Sequence, residues 1–116
     1  MRLLASKFVV WVIAIALGAS TAADAQTVRW KEYLHPDKPA YKDFAQLYLA
    51  GVRDGLIAYN VATHGKEFCL PRNAALTDEQ LDDSMKRWAE KQTVNLDSMP
   101  IATILLAALR GEFPCQ

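Results

Sequence analysis

Leu76-Thr77-Asp78-Glu79-Gln80-Leu81 is the most legible segment of the chain, because every residue in it argues for the start of a helix. Thr77 can cap the first turn, Gln80 three residues on can reach back to the backbone N–H of the cap, and Leu76 and Leu81 form an apolar staple around the pair. Asp78 and Glu79 place negative charge at the positive end of the helix dipole. Downstream, Leu81, Met85, Trp88 and Ala89 recur at helical spacing and give one buried stripe. The opposite side pairs Asp82 with Lys86, Asp83 with Arg87 and Lys86 with Glu90. Such i, i+4 pairs contribute about 0.3 kcal/mol each, so this side reads as a solvated face.

The same reasoning extends outward from this helix. Ser98-Met99-Pro100 opens a further helix, with proline in an early helical position. Ile101, Ile104, Leu105, Ala108 and Leu109 supply its buried side; Gly111 is expected to end it in the left-handed conformation and Pro114 to prevent its resumption. On the N-terminal side, Tyr41, Phe44, Tyr48, Val52, Gly55 and Tyr59 share one stripe of a helix running from Ala40 to about Val61, widened by Leu49, Leu56 and Ile57. Asp37 and Pro39 resemble its opening cap and first turn. Only Lys42, Gln46, Arg53 and Asn60 form a narrow polar strip, so this helix is expected to be central and covered on most sides. Gly51 and Gly55 lie one turn apart on it. Each costs up to about 1 kcal/mol against alanine in a helix interior, and close packing of another helix is the expected compensation, with space for a partner protein as the functional alternative. No segment alternates with period two for long enough to make a strand. The expected fold is all-α: a small bundle of three main helices, with room for a short fourth.

The N-terminal residues belong to a different class. Arg2 and Lys7 precede an unbroken apolar run from Phe8 to Leu17, and Ala23-Asp24-Ala25 has the small residues a signal peptidase accepts. Cleavage is expected before Gln26, giving a signal peptide over residues 1–25, an arm over 26–40 and a helical domain over 41–116. The apolar run is shorter than the roughly 20 residues a spanning helix needs, so no membrane association is expected after cleavage. The mature protein is then exported and soluble, and the periplasm is its expected location. Of the 13 basic and 13 acidic residues, Arg2, Lys7 and Asp24 leave with the signal, so 11 basic and 12 acidic remain. That balance lacks the basic stripe a nucleic-acid partner requires.

Only two cysteines occur, Cys69 in Phe68-Cys69-Leu70-Pro71 and Cys115 in Phe113-Pro114-Cys115. An even pair in a short exported chain reads as one intrachain disulfide. In the chain-entropy model a closed loop of this length contributes roughly 4 kcal/mol, against total stabilities of about 5 to 15 kcal/mol. A thiol enzyme or a zinc site assembled from these cysteines with His35 and His64 lacks the spacing of either chemistry. Ser84 and Ser98 lie outside any nucleophile elbow. The expectation is a protein that is not an enzyme and holds no cofactor or metal.

In their order, Tyr48-Leu49-Ala50-Gly51-Val52-Arg53-Asp54-Gly55-Leu56, Phe68-Cys69-Leu70-Pro71, Leu76-Thr77 with Glu79-Gln80-Leu81, Ile101-Ala102, Ala107-Ala108-Leu109-Arg110 and Phe113-Pro114-Cys115 resemble the Rap/Tai immunity proteins. The resemblance runs from about Tyr41 to Cys115. It implies a small periplasmic α-helical protein, disulfide-bonded at the two matching cysteines, that binds and blocks a peptidoglycan amidase delivered by type VI secretion. Relatives in that family often form homodimers, for which the glycine face or an exposed part of the last helix could serve; the sequence does not decide between monomer and dimer. A periplasmic structural or adaptor role on the same scaffold is the alternative.

A recognition surface is sought first in the loop from Asn60 to Asn73, since a loop this long without its own element is often functional. His64, Lys66 and Arg72 are its candidate contacts, with Trp30 and Tyr33 of the arm. Phe68 is expected to be buried beside Cys69 and Trp88 to be part of the core.

Overall fold

The computed structural model describes residues 27–116, so the expected signal peptide lies outside the described residues. Among the described residues four helices follow one another: α1 Trp30–Leu34, α2 Pro39–Ala62, α3 Asp78–Glu90 and α4 Ile101–Glu112. Three are long and one is short, and no strand forms among the described residues.

The most apolar of them, α4, is the centre of the molecule. Ile101, Ile104, Leu105, Ala108 and Leu109 are all buried, as their spacing predicts. They pack chiefly along α3, which contributes Leu81 and Met85, and α4 also touches α1 and α2. The cap that opens α3 is formed: Thr77 Oγ1 accepts from the Gln80 N–H at 3.2 Å, and Gln80 Oε1 accepts from the Thr77 N–H at 3.2 Å. Gly111 stays within α4, which ends at Phe113 through an N–H bond to the Leu109 carbonyl at 2.9 Å. The left-handed stop expected at Gly111 is therefore not used; the bridge at Cys115 and the pairing of Phe113 with residue 69 divert the chain instead.

The solvated face of α3 keeps one of its expected pairs, Asp82 with Lys86 at 2.8 Å. Arg87 turns to Glu112 at 2.7 Å, and Ser84 is buried and donates its hydroxyl hydrogen to the same carboxylate. A cross-helix carboxylate near the end of α4 draws Arg87 away from Asp83, its i, i+4 neighbour, and takes the Ser84 hydroxyl as well.

Two expectations about α2 are corrected. It is not the central helix: only Ala45 and Leu49 are buried along its length. Its N-cap is Lys38, with no side-chain bond, so Asp37 does not cap it, although Pro39 does occupy the first turn. The arm expected over residues 26–40 is part of the same core. Val28 is fully buried and Trp30 is 5 % exposed. The segment pairs with the chain before α4: Trp30 N–H donates to the Met99 carbonyl at 2.9 Å, Lys31 N–H to Asp97 at 3.1 Å, and Ile101 N–H to the Val28 carbonyl at 3.0 Å. Arg29 and Pro100 form an antiparallel bridge at its centre.

Candidate partner-binding site

The loop after α2 is built from the end of the helix outward. Gly65 N–H reaches the Asn60 carbonyl at 2.8 Å and His64 N–H the Val61 carbonyl at 3.0 Å, the paired bonds of a Schellman termination. This termination needs a left-handed residue, and the chain has two in succession, His64 at φ 60° and Gly65 at φ 69°. Gly65 adopts that conformation freely. His64 carries a Cβ that costs about 1–2 kcal/mol there, and strain of this kind concentrates at functional positions.

Beyond the tip the chain returns to the core. Phe68 is fully buried, and Cys69 is bonded to Cys115 across 46 positions. Cys69 N–H donates to the Phe113 carbonyl at 2.8 Å, so the bridge is doubled by a backbone bond. The Gly65 carbonyl oxygen sits 3.4 Å from one sulfur and 3.1 Å from the other. His64, Lys66 and Arg72 are exposed along this loop, and among the described residues Lys66 and Arg72 make no ion pair. The loop thus offers a short, covalently anchored surface with positive charge and an imidazole at its tip.

Trp30 and Tyr33 do not join that surface. Trp30 is packed in the core and stacks on Tyr33 with ring centroids 5.6 Å apart, which removes it as an exposed anchor for a partner. Tyr33 is half-buried and donates its hydroxyl to Asp82 Oδ1 at 2.5 Å. Burial first, and then the Asp82 carboxylate, raise its pKa above the ordinary tyrosine value. It lines an open groove of about 500 Å³ between α1, α2 and the N-terminal part of α3 from Asp78 to Lys86.

Gly51 and Gly55 also stand elsewhere than expected. A Cβ on either would meet nothing within 4 Å, so no helix among the described residues packs against them. They belong to an outward row with Phe44, Leu47 and Ala58, in which Phe44 is 45 % and Leu47 75 % exposed. The polar strip opposite is the side that makes contacts. Arg53 Nη1 donates to the Leu76 carbonyl at 3.2 Å and lies 3.4 Å from Asp78, while Asn60 binds the loop backbone. Sequence reasoning also passed over Glu67, which pairs with Arg110 of α4. Its signal was only an isolated acid beside a buried aromatic.

Such a molecule belongs to the class of small, disulfide-stapled all-α proteins, and its most distinctive surfaces are a rigid loop and an apolar helix face. Residues 18–115 match the family model of the Rap1a immunity proteins, and the chain belongs to that family. No curated protein and no solved structure matches it. Membership in an immunity family implies an effector protein as the partner. No helix among the described residues is long and apolar enough to cross a membrane.

Proposed function

We propose that this immunity protein is exported to the periplasm after cleavage before Gln26, where it binds a peptidoglycan amidase delivered by type VI secretion and covers its cleft with the stapled loop. The family assignment supports an effector partner, and the observation that carries the reading is the loop itself. It is held at both ends, its tip is strained at His64, and it displays His64, Lys66 and Arg72 outward. The disulfide supports a compartment outside the cytosol, where such bonds persist. A protective complex needs roughly nanomolar affinity and about 800 Å² on each partner, more than the tip alone supplies, so neighbouring residues of α2 and the tail join the contact.

The row Phe44, Leu47, Gly51, Gly55 and Ala58 suits a second copy of the chain. Its large residues precede Gly51 and its small ones follow, so two helices crossing antiparallel at Gly51 set Phe44 and Leu47 of one over Ala58 and Gly55 of the other. Light scattering of the purified protein is expected to give a dimer mass for the wild type and a monomer mass for Leu47→Arg. A monomeric wild type contradicts this part of the reading.

Protection of living cells tests the main reading. Recipients expressing the whole chain are expected to survive amidase delivered to the periplasm, and recipients expressing it without residues 1–25 to lyse. Equal lysis of both, with the exported protein present, would overturn it and leave a structural or adaptor role.

A further inference from the structure

Groups from three separate parts of the chain converge on the segment between the loop tip and Cys69. Asn60, on the last turn of α2, makes three hydrogen bonds: its Nδ2–H donates to the Phe68 carbonyl at 2.9 Å, and its Oδ1 accepts the N–H groups of Glu67 at 3.1 Å and Phe68 at 3.2 Å. Arg110, on α4, holds the Glu67 carboxylate through Nε at 2.9 Å and through Nη2. Cys115, from the tail, is bonded to Cys69. Asn60 therefore binds one short stretch of backbone through both its donor and its acceptor sides, and that stretch adjoins the left-handed pair His64 and Gly65. The Phe68 ring belongs to the buried apolar cluster, whereas Asn60, Glu67, Arg110 and the two cysteines lie outside it.

We propose that Asn60 is a positioning residue for partner recognition: with the bridge and Arg110 it holds the His64-Gly65-Lys66 tip in one conformation before the partner arrives. A left-handed histidine is unfavourable in a free chain. A loop already ordered loses less conformational freedom on association, and so binds more tightly than the same side chains on a loose one. The recognition role rests on the immunity reading, whereas the holding of the loop rests on the geometry alone.

The experiment compares the exported wild-type protein with Asn60→Ala and Asn60→Asp. It measures native-state amide hydrogen exchange and the affinity for the amidase that the wild type retains. In Asn60→Ala the Glu67 and Phe68 amides are expected to exchange about tenfold faster or more, those of Met85 and Leu105 to keep their rates, and binding to weaken at least about tenfold. Asn60→Asp keeps the acceptor for both amides but loses the donor to Phe68, so it is expected to fall between the two.

Unchanged exchange at Glu67 and Phe68 in Asn60→Ala would overturn the holding role. Acceleration of all α3 and α4 amides together would make Asn60 a support of the whole fold instead. Faster exchange confined to the loop with undiminished binding would overturn the recognition role. A wild type that retains no amidase ends the immunity reading and the recognition role with it, while the exchange rates still decide whether Asn60 holds the loop.

Discussion

At the scale of single residues, two side chains carry tests that separate strain from stability. His64 sits at φ 60°, where glycine is comfortable and histidine is not. His64→Gly is expected to stabilise the fold by about 1 kcal/mol in urea denaturation while weakening partner binding. A loss of stability would mean that the imidazole is held for packing. Tyr33 is neutral in the folded state beyond the usual range, because burial and then its bond to Asp82 raise its pKa. Its unfolded value is about 10. A raised folded pKa means that its contribution is complete below pH 10 and declines as pH rises above 10, where the unfolded chain loses the proton first. Stability of the wild type is therefore expected to fall from pH 10 to 11 more steeply than that of Tyr33→Phe, measured by urea midpoints at each pH. Identical slopes would remove Tyr33 from the account.

At the scale of elements, the helices were legible where the pattern is local, and misread where the neighbour decides. Thr77, Gln80 and the Leu81 stripe lie within a few positions of one another, so α3 was readable, as was the buried side of α4 from Ile101 to Leu109. In α2 the tyrosine and glycine stripe suggested a covered helix. The structure instead turns Gly51, Gly55 and Leu47 outward and uses Arg53 and Asn60 to bind the loop and the start of α3. A polar strip can face solvent or a backbone in need of partners, and spacing alone does not distinguish the two. The outward glycines give a direct test. With no atom within 4 Å of an added Cβ, Gly51→Ala and Gly55→Ala are each expected to raise monomer stability by about 0.5–1 kcal/mol. If the second copy packs there, the double variant also dissociates at higher protein concentration than the wild type in sedimentation equilibrium. Destabilisation of the monomer would show that the face is covered from within the chain.

At the scale of the whole molecule, the described structure closes from both ends. The N-terminal segment puts Val28 and Trp30 into the core against residues 97–101, and the C-terminal tail is bonded to the loop through Cys69 and Cys115. The tail was readable, since two cysteines in a short exported chain leave one pairing. The N-terminal part was not, because Trp30 gains its place only from a segment some seventy positions away, with no period of its own to reveal it. Trp30→Ala is accordingly expected to cost about 3–5 kcal/mol, read from the denaturation midpoint; a cost below 1 kcal/mol would return this segment to the status of a free arm. The loop's candidate contacts were visible as an irregular stretch with a histidine, two basic residues and a cysteine. Its holding residues, Asn60, Glu67 and Arg110, were not, because their meaning depends on which backbone groups the fold brings within reach.

The most direct test is to recover the tagged, exported protein from the periplasm of cells under attack by a type VI-armed competitor, and to identify by mass spectrometry what it retains. A peptidoglycan amidase of the attacker, retained by the wild type and lost when His64, Lys66 and Arg72 are all replaced by alanine, is the predicted result. Recovery of no cell-wall hydrolase while secretion is active, or equal retention by the triple variant, would contradict the account.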